Sequence, residues 1–152
     1  MSVEVGSTRI AGPESGGWTP ARIFLATSAA YHLLLGIAGF AIDQSFPLTT
    51  SAAAHGAHQH VFGIFMTNGW HSLAGALLGI VSLWFAIRPR YAREAAIAIG
   101  VSQVATVVGL ALLAPSTFLL ASNGADQVIH AFTAIAGIAC GLATPRSTLA
   151  NT

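Results

Sequence analysis

Charged residues are scarce in this sequence, and their scarcity excludes an ordinary soluble fold. Only 7% of the 152 residues are charged, whereas soluble domains carry roughly a quarter. A membrane protein needs no charged cover on its lipid-facing surface. Lysine is absent altogether, and six arginines supply all the fixed positive charge. The net charge of +1 gives no electrostatic basis for binding nucleic acid.

Cysteines and catalytic motifs are also in short supply. The single Cys140 excludes an intramolecular disulfide and every metal motif built on paired cysteines. The sequence contains no carboxylate pair, no Ser-His-Asp set, no phosphate-binding glycine loop and no dinucleotide-binding fingerprint. We therefore expect no enzymatic activity.

Long apolar stretches are what the sequence has instead, with 54% hydrophobic residues. Crossing a bilayer core of roughly 30 Å takes about 20 helical residues. Four stretches are long enough: 21–42, 69–87, 95–114 and 126–144. Prolines lie at or just beyond their ends, as at helix termini, and no segment shows the sustained two-residue alternation of a strand. We predict an all-α, four-helix transmembrane bundle over residues 21–144, with tails at 1–20 and 145–152.

The arginines predict the orientation of this bundle. They lie before the first span, between the second and third, and after the fourth: Arg9, Arg22, Arg88, Arg90, Arg93 and Arg146. The other two loops contain none, so the positive-inside rule places both termini in the cytoplasm. Abundant Ala, Gly and Arg without Lys is typical of a GC-rich bacterial genome. We therefore expect a multi-pass protein of the bacterial cytoplasmic membrane.

Polar side chains interrupt the predicted spans, mostly in their outer halves. Polar groups are costly in hydrocarbon, so they should face the interior of the bundle. Residues three or four apart share a helical face, as do Asn68 with His71 and Asp126 with His130. We predict that these four residues form one polar cluster between the second and fourth spans, near the outer surface.

Three interpretations of the intramembrane histidines fit the sequence. In the simplest, they form hydrogen bonds between helices. In the second, His71 and His130 hold a haem or a divalent metal ion in the bundle core. In the third, the histidines move protons or sense pH, because imidazole titrates near neutral pH. The candidates for a cofactor or proton site are His32, His71, Gln103 and His130.

The first outer loop contains the run HGAHQH, which holds His55, His58 and His60. Short histidine-rich tracts can bind metal ions such as Zn, Cu and Ni. Gly56 and the adjacent alanines give this tract little preorganisation. We therefore expect a polar loop that binds metal weakly or not at all.

Two of the spans resemble the small bacterial four-span proteins grouped as domain of unknown function 4383. The family's second span looks like Asn-x-x-His-Asn-x-x-His-x-x-x-Gly, which Asn68, His71 and Gly79 match. Ser72 replaces the second Asn, and Gly75 replaces the second His. That replacement weakens any claim that the family's histidines form one metal site in this chain.

The resemblance extends to the fourth span, where the family pattern looks like Asp-Asn-x-x-His. Asp126 and His130 match it, with Gln127 in place of Asn, and the GIAGF of the first span also fits. The resemblance covers about residues 22–144. It implies a four-helix integral membrane protein with no assigned activity.

Together these features predict an integral membrane protein of unassigned activity, which we expect to be an accessory or interaction subunit. Its expected partners are the lipid bilayer and either a second copy of the chain or another membrane protein. The alternatives are a haem- or metal-binding membrane protein and a small proton-linked transporter subunit. Four short helices would have to oligomerise to enclose a transport pathway.

Overall fold

The computed structural model describes residues 17–49, 59–113 and 120–146. Its helices are α1 Pro20–Ile42, α2 Gly69–Ala86, α3 Pro89–Leu113 and α4 Gly124–Ala143. Two short strands, β1 His60–Val61 and β2 Phe65–Met66, lie between α1 and α2. All four helices are long and apolar enough to cross a membrane. The predicted four-helix transmembrane fold is confirmed.

The helix ends follow from capping residues in the sequence. Thr19 caps α1 by accepting a hydrogen bond from the Arg22 backbone nitrogen, and Pro20 follows in the first turn. Helix α3 begins at Pro89, six residues before the predicted span start at Ala95. Hydropathy missed these six residues because Arg90, Arg93 and Glu94 are charged, although a proline is well suited to begin a helix.

The all-α expectation holds for the described residues apart from two short strands in the loop between α1 and α2. Strands β1 and β2 pair antiparallel, with Val61 opposite Phe65. Phe62 and Gly63 form the turn with left-handed backbone angles, φ 54° and 70°. Strands of two residues are too short to show the two-residue alternation on which the expectation depended.

The bundle consists of two tightly packed helix pairs. The most extensive helix contacts join α1 to α2 and α3 to α4, and the contacts between these two pairs are thinner. Glycines permit the close approach within a pair: a Cβ at Gly36 would lie 2.7 Å from the Ala76 backbone nitrogen. In the other pair, a Cβ at Gly137 would lie 2.9 Å from the Ala96 carbonyl oxygen. Small residues play this role in membrane helices generally.

The two ends of the bundle differ in character. At the arginine end, where α1 begins and α2 ends, Arg22 Nε donates to the Ala86 carbonyl over 2.9 Å. Just inside that end lies an apolar core of small and large side chains: Ala21, Phe24, Leu25, Ala86, Ala92, Ala95, Ala96 and Ile99. At the opposite, hairpin end, where α1 ends and α4 begins, the interior is polar.

Candidate functional site: a histidine-lined interior

Two adjacent cavities occupy the polar half of the bundle, between the two helix pairs. The smaller, about 40 Å³, is lined by residues of α1, the β-hairpin, α2 and α4. The larger, about 110 Å³, is lined by residues of all four helices. Both volumes exceed the roughly 10–15 Å³ that one water molecule requires, so both cavities have room for water.

Each helix contributes a polar side chain to the lining of the larger cavity. Four of these side chains form a set that we call the histidine cluster: His32, His71, Gln103 and His130. These are the four residues that the sequence marked as candidates for a cofactor or proton site. The three histidines also line the smaller cavity. Each side chain faces the interior because α1 to α4 turn their small or polar faces toward one another, as the cost of polar groups in lipid requires.

His71 and His130 connect the two helix pairs. Their ring centroids lie 6.3 Å apart, and the ring planes are inclined by 26°. Of the polar side-chain atoms buried in the described parts of the chain, two have no hydrogen-bond partner, His71 Nδ1 and Ser122 Oγ. Both residues line the larger cavity. Unpartnered buried polar atoms favour water or another polar species in such a space.

The neighbours of His32 and His130 fix which ring nitrogen carries the proton. His130 Nδ1 donates to Gln103 Oε1, and His32 Nδ1 donates to the Ser28 carbonyl over 2.8 Å. Since both acceptors are carbonyl oxygens, a neutral imidazole keeps its lone pair on Nε2 in each case. The histidine cluster therefore offers proton-accepting nitrogens inside the membrane domain.

Asn68 and Asp126 have local roles at helix starts. Asn68 caps α2 by accepting from the His71 backbone nitrogen over 2.9 Å. Asp126 forms a capping box with Asn123, whose backbone nitrogen donates to Asp126 Oδ2 over 2.8 Å. Asp126 also lines the smaller cavity with His71 and His130, whereas Asn68 does not. The structure thus brings three of the four residues of the predicted polar cluster to one cavity.

Sequence reasoning missed the polar residues that extend the cluster along α1. Ser28 Oγ lies 3.1 Å from His32 Nδ1 and 3.4 Å from Ser82 Oγ of α2. Tyr31 lines the smaller cavity, and its ring meets that of His32 edge to face at 5.1 Å. The four-residue spacing of Ser28 and His32 is a signal that could have revealed this contact.

The predicted loop site lies mostly outside the described residues, because His55 and His58 fall there. His60 is part of β1. Among the described residues, no group of three or more His, Cys, Asp and Glu side chains is arranged to hold a metal ion.

This geometry defines a four-helix membrane protein with a polar, histidine-lined interior in one half. The chain belongs to the family described as Domain of unknown function (DUF4383), which matches residues 22–143. No curated protein and no solved structure matches the chain. Gly75, four residues after His71 in α2, also lines both cavities.

Proposed function

We propose that this protein is a pH-responsive accessory subunit of the membrane, which binds protons at the histidine cluster from the hairpin side. The observation that carries this proposal is the meeting of three imidazoles from three helices at adjoining interior cavities. Histidine is the side chain whose ordinary pKa, about 6.5, lies in the physiological range. A charge added there acts directly on the contact between the two helix pairs.

The apolar core argues against a continuous proton path across the membrane. From the cluster, the polar contacts run through Ser28 to Ser82. Next along α1 toward the arginine end, Leu25 and Ala21 are fully buried in the apolar core. A proton in transit needs a chain of hydrogen-bonding groups or water, which this core does not offer. The geometry therefore favours proton binding from one side over proton transport.

A histidine titration tests the proposal. In lipid nanodiscs, ¹⁵N-histidine NMR should show ring nitrogens of the cluster binding protons as the pH is lowered. Replacing His71 with Gln should change the titration of His130, because the two rings are neighbours. Titration of His130 that is identical with and without His71, or no titration in the cluster, would refute the proposal.

A flux measurement distinguishes the transporter alternative. Vesicles containing the protein and a trapped pH dye should dissipate an imposed pH gradient no faster than protein-free vesicles. The same proton flux is measured for a matched control variant, Leu25→Ser, which places a hydroxyl in the apolar core. Proton flux by the native protein, lost on replacing His71, would favour the proton-linked transporter instead.

The haem and metal alternatives receive less support from the geometry. Ligand pockets measure roughly 300–1,000 Å³, whereas the two cavities here measure about 40 and 110 Å³. His71 and His130 alone supply two ligands, fewer than the three or four protein ligands of ordinary zinc sites. A visible spectrum and metal analysis of purified protein test both alternatives.

We also propose that the arginine end faces the cytoplasm of a bacterium, as the positive-inside rule predicts.

A further inference from the structure

The β-hairpin between α1 and α2 carries an unusual turn. Phe62, a bulky aromatic residue, adopts a left-handed backbone with φ 54°, although such conformations favour Gly, Asn and Asp. The Phe62 side chain is 62% exposed, and Ile64 at the same turn is 53% exposed. A turn in water gains nothing from two exposed apolar side chains, so turn chemistry alone does not explain this sequence.

The hairpin is held in place by contacts with two helices. Phe65 packs edge to face against Tyr31 of α1, with ring centroids 6.4 Å apart. Val61 is 2% exposed and lines the smaller cavity. At the turn, Asn123 Nδ2 donates to the Ile64 carbonyl oxygen over 2.7 Å. The hairpin therefore has a defined depth relative to the helices.

That depth coincides with the edge of the hydrocarbon core. Helix α4 has 20 residues, or about 30 Å, which matches the thickness of the core. Its capping residue Asn123 then lies at the boundary, and it binds the hairpin turn. Tyr31 lies eleven residues before the end of α1, about 16 Å along the axis. The strands therefore extend from that end of α1 toward the middle of the helix.

We propose that the hairpin turn, residues 62–64, inserts into the boundary between headgroups and acyl chains, so that lipid is the partner of Phe62 and Ile64. Apolar side chains bury at this depth in interfacial segments generally. The Ile64 backbone is suited to it, because its nitrogen donates to the Val61 carbonyl and its oxygen accepts from Asn123. Backbone groups near lipid must be satisfied in this way.

Spin-label accessibility tests this inference. Cys140→Ser removes the single native cysteine, and Phe62→Cys is then labelled with a nitroxide in phosphatidylcholine nanodiscs. Oxygen, which concentrates in acyl chains, and a water-soluble nickel chelate compete to relax the label. We expect the ratio of relaxation by oxygen to relaxation by the nickel chelate to be several-fold higher than for a label at position 146, beyond the end of α4.

A second lipid-facing label calibrates the scale. Ile135→Cys on α4 is suitable, because Ile135 is 71% exposed in a membrane-spanning helix. A ratio at position 62 closer to that of position 146 than to that of position 135 overturns the inference, as does protection from both reagents. If Phe62→Cys fails to fold, Ile64→Cys with native Phe62 gives the same readout.

Discussion

The 6.3 Å contact between His71 and His130 predicts a loss of stability in acid. Two unit positive charges at that separation repel by about 2–3 kcal/mol at an effective dielectric constant of 20. One withheld proton costs about 1.4 kcal/mol for each pH unit below the ordinary histidine pKa of about 6.5. The free energy of unfolding should therefore fall between pH 7.5 and pH 5 by up to about 2 kcal/mol more in the native protein than in His71→Gln. Denaturant titration in detergent at several pH values measures this difference.

The sign follows from the unfolded state, in which the two rings separate and both bind protons freely. Stability therefore falls as the pH falls, wherever the unfolded state binds more protons than the folded state. The control is Arg146→Gln, because Arg146 lies at the other end of the bundle, beyond the end of α4. Equal acid losses for the native protein and His71→Gln would refute the reasoning, as would a double-mutant cycle between His71 and His130 with coupling below about 0.3–0.5 kcal/mol.

Three further predictions concern packing, topology and the loop. Gly36→Ala should destabilise the protein by about 1–3 kcal/mol, because its Cβ would lie 2.7 Å from backbone. Gly75→Ala, whose Cβ has 3.5 Å of clearance, should be neutral or stabilising in the same unfolding titration. In intact cells, a membrane-impermeant thiol reagent should label a cysteine introduced at position 59, and should label a cysteine introduced at position 90 only after lysis. The reverse pattern would overturn the orientation. Tag-free protein should retain no stoichiometric Zn or Cu after purification, and a retained metal lost on replacing the three loop histidines would contradict the expected weak binding.

The positions of the helices could be predicted from sequence, because length, hydropathy and flanking prolines all mark a membrane span. The start of α3 was missed, because hydropathy reflects a preference for lipid, whereas Pro89 sets the beginning of the helix itself. The hairpin was also missed. Its two-residue strands leave no periodic signal, and contacts such as Tyr31 with Phe65 hold it in place.

The composition of the candidate site was predictable in part. The cost of polar groups in lipid indicated an interior position for the histidines, and similar depth indicated that His71 and His130 lie close together. The sequence reasoning did not include the capping of α2 by Asn68, although Asn and Asp at helix starts commonly act as caps. It also could not reveal the packing between the two helix pairs, which brings His32 and Gln103 to the same cavity.

Whether protons reach the cluster from one side only can be measured with Trp70, which precedes His71 in the first turn of α2 at the hairpin end. Trp18 and Trp84 are replaced by Phe, and the protein is reconstituted in vesicles with its orientation determined by labelling. Acidification of the hairpin side alone should change Trp70 fluorescence, and the change should disappear in His71→Gln. A response of equal size to acid on the arginine side, or no response that depends on His71, would contradict one-sided proton binding.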